Sequence, residues 1–220
     1  MTFLYIIIVL VLIFDFINGF HDSANSIATI VSTKVLSPFN AVLLAAIFNF
    51  IAFTVFPLRV ATTMGKGIID PAVVSLTVIA AALVAAITWN LFTWWWGLPS
   101  SSSHTLVGGM VGAAIVSSGP ESIITGGVLK IAAFIVIAPL LGMAMSYIIS
   151  LLVINLVKKY SPSAVDKHFR RLQLLSAAAF SLGHGGNDAQ KSMGIIWIAL
   201  IATGLASIDD KRPDLWVVLS

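Results

Sequence analysis

Asn18-Gly19-Phe20-His21-Asp22-Ser23-Ala24-Asn25-Ser26 interrupts an apolar run that begins near Thr2 and continues to about Thr33. FLYIIIVLVLIF precedes it and IATIV follows it. Both flanks suit a membrane or a deep core. Between them stand an Asp, a His, two Asn and a Gly. An unpaired polar group in hydrocarbon is costly, and an ionisable one more so. The nonapeptide therefore calls for a cavity, an ion or a ligand that compensates it.

A membrane-crossing helix needs about 20 apolar residues. The run from Thr2 to about Thr33 exceeds one straight crossing. Gly19 then predicts a break, with helical pieces over about 3–18 and 23–34. Asp15 falls inside the first piece, either as a helix-end residue near the interface or as a polar group inside a bundle. The whole chain agrees with a membrane setting: of 220 residues 59% are hydrophobic and 10% charged, where a soluble chain carries roughly 25% charged residues. The expected class is an all-α, polytopic membrane bundle with inverted repeats and discontinuous or re-entrant helices. MTFLYIII has no basic region and no small-residue cleavage site, so it reads as a first membrane helix and not as a removable signal peptide. The absence of cysteine excludes disulfides and thiolate metal sites. A net charge of +3 with the bases gathered in loops gives no sign of a nucleic-acid partner.

Pro38 opens the next expected span, about 38–57. Arg59, Lys66 and Asp70 mark a water-exposed loop, and Pro71 suits the first position of a helix over about 72–96. That helix ends in Trp94-Trp95-Trp96, which fits an interfacial aromatic belt. Gly97-Leu98-Pro99-Ser100-Ser101-Ser102-Ser103-His104-Thr105 follows, then the Gly- and Ala-rich LVGGMVGAAIV. A half-length helix behind a serine-rich break is tolerated in a membrane where it lines a cavity or is buried in protein. After an apolar stretch over about 127–157 come Lys158-Lys159, Lys167 and Arg170-Arg171, the most basic segment. Its charge places it in the cytoplasm.

From Leu172 the opening theme returns. An apolar run leads into Gly183-His184-Gly185-Gly186-Asn187-Asp188-Ala189-Gln190-Lys191-Ser192 and then MGIIWIALIATGLA. Asp188 aligns with Asp22, Gly185 with Gly19, Asn187 with His21, and Lys191 with Asn25. Interrupted segments at corresponding places in two halves are the best sequence pointer to a transporter binding site. The expected organisation is a first transmembrane repeat over 1–157, a basic cytoplasmic loop over 158–171, and an incomplete second repeat over 172–220. SIDDKRPD reads as a polar loop and WVVLS as the start of a further helix. No second copy of the Leu-Pro-Ser-Ser-Ser-Ser-His element occurs, so the chain is expected to be a fragment or a truncation relative to its relatives.

If the two interruptions meet near the midplane, half-helix N-termini there offer free N–H groups and positive dipole ends to an anion. The hydroxyls at 100–103 and of Thr105 can donate to anion oxygens, and Lys191 adds a full positive charge. Asp22 and Asp188 repel an anion unless a cation lies between, or unless one is protonated and donates. The first solution implies Na⁺ held by carboxylate and amide oxygens, the second H⁺ coupling. His21, His104 and His184 are either satisfied by backbone or part of a proton relay or substrate contact. A three-histidine metal site lacks the i, i+4 pairing on one helix that would mark it.

GFHDSANS, WNLFTWWWGLPSSSSHTLVGG and GHGGNDAQKSMG resemble the signatures of the inorganic phosphate transporter (PiT) family, over about residues 3–205. The second motif ends in Asp-x-Gln-Lys, which resembles the bacterial branch. The resemblance implies a secondary transporter of the inner membrane, built from two inverted repeats, that imports phosphate with Na⁺ or H⁺ and uses no other cofactor. It implies ion and substrate binding at Asp22, Asn25, Asn187 and Asp188, with Na⁺ among these four. It implies phosphate contacts from Ser101, Ser102, Ser103 and Thr105, with Gln190 and Lys191 at the second-repeat positions. Phe20-His21 stands where many members have Ala-Asn. Inorganic phosphate and the lipid bilayer are the implied partners; a homo-oligomer and a cytoplasmic regulatory protein stay open. Sulfate is the alternative substrate, disfavoured because only protonated phosphate donates to Asp22 or Asp188 at neutral pH. An intramembrane hydrolase on Ser103, His104 and an Asp lacks a Gly-x-Ser-x-Gly elbow, and a channel would not need opposed carboxylates.

Overall fold

The first helix does not break. In the computed structural model, which describes residues 1–56, 67–207 and 215–218, α1 runs without interruption over Thr2–Ser32. The pieces expected over 3–18 and 23–34 are one rod. In lipid a break would strand N–H and C=O groups that water cannot reach, whereas an unbroken helix keeps them paired. Gly19 alone costs about 1 kcal/mol against Ala in a helix, too little to outweigh those bonds.

Ser37 caps α2 (Pro38–Val55), its side chain accepting from the Asn40 N–H, with Pro38 at the first turn. Pro71 does not open the next long helix. Asp70 and Pro71 start a single 3₁₀ turn, Pro71–Val73, and α3 begins later, at Leu76–Trp95, under a Ser75 cap. Two chain-local caps five residues apart thus compete, and the later one leads into the apolar run. Asp70 is exposed; Arg59 and Lys66, expected in the same loop, lie outside the described residues. The serine-rich turn feeds α4 (Ser102–Ser118), which Ser101 caps and Gly119 ends at φ +84°. α5 (Thr125–Val157) carries Pro139 internally and buries no residue against the rest of the chain. α6 spans Pro162–Ala202, so of the segment expected as a basic loop, 162–171 is already helix. The interruption expected over 183–192 is likewise absent. A short α7 (Leu215–Val218) lies at the end; Ile208 to Asp214 of the expected polar loop fall outside the described residues.

α1, α3 and α5 are each long and apolar enough to cross a membrane, and α2 contains a shorter apolar stretch, Pro38–Ala52. No strand occurs among the described residues; Ile69 and Ile123 form an isolated bridge that joins the loops before α3 and α5.

The core lies where α1, α3, α4 and the C-terminal part of α6 meet. The buried stripe of α1 is Leu4, Ile7, Val11 and Phe14, a three-four spacing that keeps one face inward. The next position on that stripe is Asn18, which is 1% exposed. On α4 the buried stripe is Ser102, Leu106, Met110 and Ala114. Each apolar stripe thus ends in a polar residue at the same depth. α3 and α4 approach closely: a Cβ on Gly109 would sit 2.7 Å from the Ala82 carbonyl oxygen. α2 meets α6 in the same manner, since a Cβ on Gly185 would lie 2.6 Å from the Asn49 Cα. Small residues at such crossings replace the hydrophobic drive that lipid does not supply.

Candidate functional site

Asp188 is the centre of the polar cluster. Its Oδ1 lies 2.7 Å from Lys191 Nζ, one helical turn along α6. Its Oδ2 lies 3.0 Å from His184 Nε2, one turn in the other direction, and accepts from Asn18 Nδ2 of α1 at 2.9 Å. Lys191 also donates to Ser103 Oγ of α4 at 2.9 Å, and Ser102 Oγ donates to Asn18 Oδ1. Three helices are thereby joined through one carboxylate. Lys191 is 3% exposed, and a buried ammonium needs this degree of pairing.

Asp22 stands beside this network. Asn25 Nδ2 donates to its Oδ1 at 3.4 Å, and His21 Nδ1 lies 3.5 Å away. Ligand atoms of Asp22, His184 and Asp188 all fall within 4.8 Å of one another, close enough for a single cation between α1 and α6. Carboxylate oxygens suit a hard cation such as Na⁺. The group differs from the one the motifs suggested. Asn187 is exposed and donates back to the Gly183 carbonyl at 3.3 Å, so His184 occupies the place expected of it.

The serine-rich turn divides similarly. Ser102 and Ser103 face the network, whereas Ser101 is exposed and serves as helix cap. Thr105 donates to the Ser101 carbonyl at 2.9 Å and lies 3.4 Å from Ser100 Oγ. His104 is exposed and is not part of the Asp22, His184 and Asp188 cluster. Gln190 is buried beside Lys191. At the start of α4 the Ser101 side chain accepts from the His104 N–H, while the Ser102 and Ser103 N–H groups have no intrahelical acceptor, and Lys191 reaches this turn through Ser103 Oγ. Because α1 and α6 are continuous, this is the helix start that the structure places at the cluster; the half-helix ends expected at 19–23 and 183–188 do not exist.

The contacts are reciprocal. The register that sets Asp188 on Asp22 also sets His184 on Asn18. Asn18 bonds Asp188, and a ring nitrogen of His184 lies within 4.8 Å of an Asp22 oxygen.

Residues outside the expected set also belong to this region. Asn18 ends the buried stripe of α1, and its spacing from Phe14 was a readable signal. Asn49 of α2 lines a cleft of about 320 Å³ with Asp15, Asn18, His184 and Asp188, and its buried Oδ1 has no hydrogen-bond partner among the described residues. Asn90 of α3, inside the WNLFTWWWG motif, is 1% exposed with neither side-chain polar atom partnered among the described residues. Both are amides set within apolar stretches of their helices. Asp15 accepts from Ser192 Oγ at 2.7 Å; as α1 continues well past it, Asp15 is interior to the helix and not at an end.

Comparison with known proteins places this geometry. The Phosphate transporter family matches residues 18–220. The chain is 53% identical over 214 residues to a "Probable low-affinity inorganic phosphate transporter" of Rhizobium meliloti (strain 1021), covering 97% of this chain and 64% of that protein. It is 44% identical to the protein of the same description from Bacillus subtilis (strain 168), covering 96% of this chain and 64% of that protein. To the "Low-affinity inorganic phosphate transporter PitB" of Escherichia coli (strain K12) it is 31% identical, covering 87% of this chain and 44% of that protein. The chain thus spans less than two thirds of the length of these relatives. A solved structure, "The sodium-dependent phosphate transporter", superposes with a TM-score of 0.82 at 24% identity, covering 100% of this chain and 72% of that one. That likeness establishes the fold.

Proposed function

Because the chain belongs to the phosphate transporter family, we propose that it carries the ion- and phosphate-binding core of a secondary transporter that moves inorganic phosphate across a bacterial inner membrane, coupled to Na⁺ or H⁺. The observation that carries this reading is the position of Lys191. Its ammonium bridges Asp188 and Ser103 at the start of α4, where the Ser102 and Ser103 N–H groups have no intrahelical acceptor. A tetrahedral anion entering there would accept from the Lys191 ammonium, the Ser102 and Ser103 hydroxyls and the first-turn amides. Asp188 would then lose part of its countercharge. A cation bound between Asp22, His184 and Asp188 restores it, so anion and cation bind better together than apart. That mutual preference is what symport requires.

Phosphate is favoured over sulfate because the site holds carboxylates as well as donors. A protonated phosphate oxygen can donate to Asp22 or Asp188, and sulfate has no proton to offer at neutral pH. Hydrolysis finds no support: His104 is exposed, and Ser103 is bonded by Lys191 and not by a histidine. The relatives are transporters. The test is reconstitution of the protein into proteoliposomes with labelled phosphate under imposed Na⁺ or pH gradients. Accumulation driven by at least one gradient, and competed weakly by sulfate, is expected. Uptake indifferent to both gradients, or competed equally by sulfate, refutes the reading.

A further inference from the structure

Asp15 is an ionisable group that the phosphate reading leaves without a task. It lies mid-way along α1, and none of the ion pairs among the described residues includes it. Its bond is to a neutral hydroxyl, Ser192 Oγ at 2.7 Å. The nearest cation, Lys191, is committed to Asp188 and Ser103. The titratable groups that share its surroundings are Asp188, Lys191 and His184 on α6 and His21 and Asp22 further along α1. α2 and α3 contribute no ionisable residue, and on α4 His104 is exposed. A carboxylate inside a membrane with no counter-cation is costly, and protonation removes that cost.

The internal register sharpens the point. It sets Ser181 against Asp15 and Ser26 against Ser192. Ser181 and Ser26 are both buried, 0% and 4% exposed. The second half carries only a small hydroxyl at this position, and Ser181 Oγ has no hydrogen-bond partner among the described residues. The carboxyl group of the first half exceeds what packing requires, and it opens on the cleft that also reaches His184 and Asp188.

We infer that Asp15 takes up the coupling proton. The inference rests on the phosphate-symport reading and names its coupling ion and the residue that carries it. Phosphate arriving at Lys191 draws positive charge away from Asp188, and the neighbourhood of Asp15 becomes more negative. A proton then binds Asp15 more readily, and by linkage a protonated Asp15 favours phosphate. The proton leaves Asp15 when phosphate leaves Lys191.

The test separates exchange from accumulation in proteoliposomes of the purified protein. Phosphate–phosphate exchange at equal pH needs no net proton movement, whereas pH-driven accumulation does. Asp15→Asn should keep exchange within about twofold of wild type and lose pH-driven accumulation and the accompanying alkalinisation seen by an external pH dye. Asp15→Ser, which copies Ser181, should do the same and serves if the amide variant does not fold. Asp15→Glu should restore accumulation with a displaced pH profile. Retained pH-driven accumulation in Asp15→Asn or Asp15→Ser overturns the inference, and so does loss of exchange in a folded variant. Wild-type protein that exchanges phosphate but accumulates it only on a Na⁺ gradient overturns the role of Asp15 while leaving the phosphate reading intact. Wild-type protein without phosphate exchange defeats the phosphate reading itself.

Discussion

Replacing Lys191 by Met tests the centre of the proposed site. Methionine keeps an unbranched chain of similar length but removes the charge and its donors. The Asp188 carboxylate would keep Asn18 at 2.9 Å and His184 at 3.0 Å and lose the 2.7 Å ammonium. Breaking a buried pair by removing one partner costs about 3–5 kcal/mol. The lower end applies here, because Asp188 retains some access, with its side chain 17% exposed. For substrate, a hydrogen bond from a charged donor contributes about 1.5–3 kcal/mol, equivalent to about a 10- to 150-fold rise in KM for phosphate. The assay is initial-rate uptake of labelled phosphate into proteoliposomes, with thermal unfolding in detergent as the fold check. Lys191→Arg should sit between wild type and Lys191→Met. Ser103→Ala added to Lys191→Met should cost less than the two single changes together, since the hydroxyl has already lost its donor. A folded Lys191→Met protein with unchanged KM refutes the assignment of Lys191 to the anion.

Two further outcomes follow from particular contacts. A Cβ at Gly185 would meet the α2 backbone 2.6 Å away, whereas one at Gly19 meets nothing within 4 Å. Gly185→Ala should therefore destabilise the fold by the about 1–3 kcal/mol typical of overpacking, seen as a lower unfolding temperature, and Gly19→Ala should leave stability equal or higher by up to about 1 kcal/mol; a destabilising Gly19→Ala would show that α1 needs a flexible joint there. Asp22→Asn and Asp188→Asn should both abolish concentrative uptake. Only Asp188→Asn should also lower stability markedly, because Asp22 has no Lys or Arg partner among the described residues and Asp188 has Lys191; equal unfolding temperatures would contradict that division.

The helical, membrane-spanning class was legible in the alternation of long apolar runs with short polar interruptions, and the pairing of Asp22 with Asp188 in the repeat of Gly-x-x-Asp. Backbone continuity was not. Gly19 and the Gly185-Gly186 pair look like helix breakers in a one-dimensional reading, yet Gly185 serves to admit the α2 backbone and Gly19 adjoins open space. Only the neighbouring helix distinguishes those two cases. Asn187 and His184 changed places for a related reason: both flank the cluster in sequence, but the helical turn carries His184 to the face of Asp188 and Asn187 away from it. Asn18 could have been placed from its spacing to Phe14. Asn49 and Asn90 could not, since an amide within an apolar stretch carries no sign of what it faces.

Continuity of α1 and α6 bears on how the molecule moves. At about 1.5 Å per residue, α1 is a rod about 46 Å long, and it crosses α6 at the Asn18–Asp188 contact. Near the end of α1, Arg170 donates to the Lys34 carbonyl at 2.9 Å and Thr33 to Gln173 at 2.7 Å. The two rods are thus strapped together at one end and pinned at their middle by the Asn18–Asp188 hydrogen bond. A tilt at the pin cannot be absorbed locally by a joint; it has to appear as opposite displacements at the two ends, resisted by the strap at one and by the core packing of Leu4, Ile7 and Val11 at the other. In this geometry the proposed ion site sits at a fulcrum, and releasing or forming the Asn18–Asp188 bond changes the stiffness of the pivot about which both helices turn.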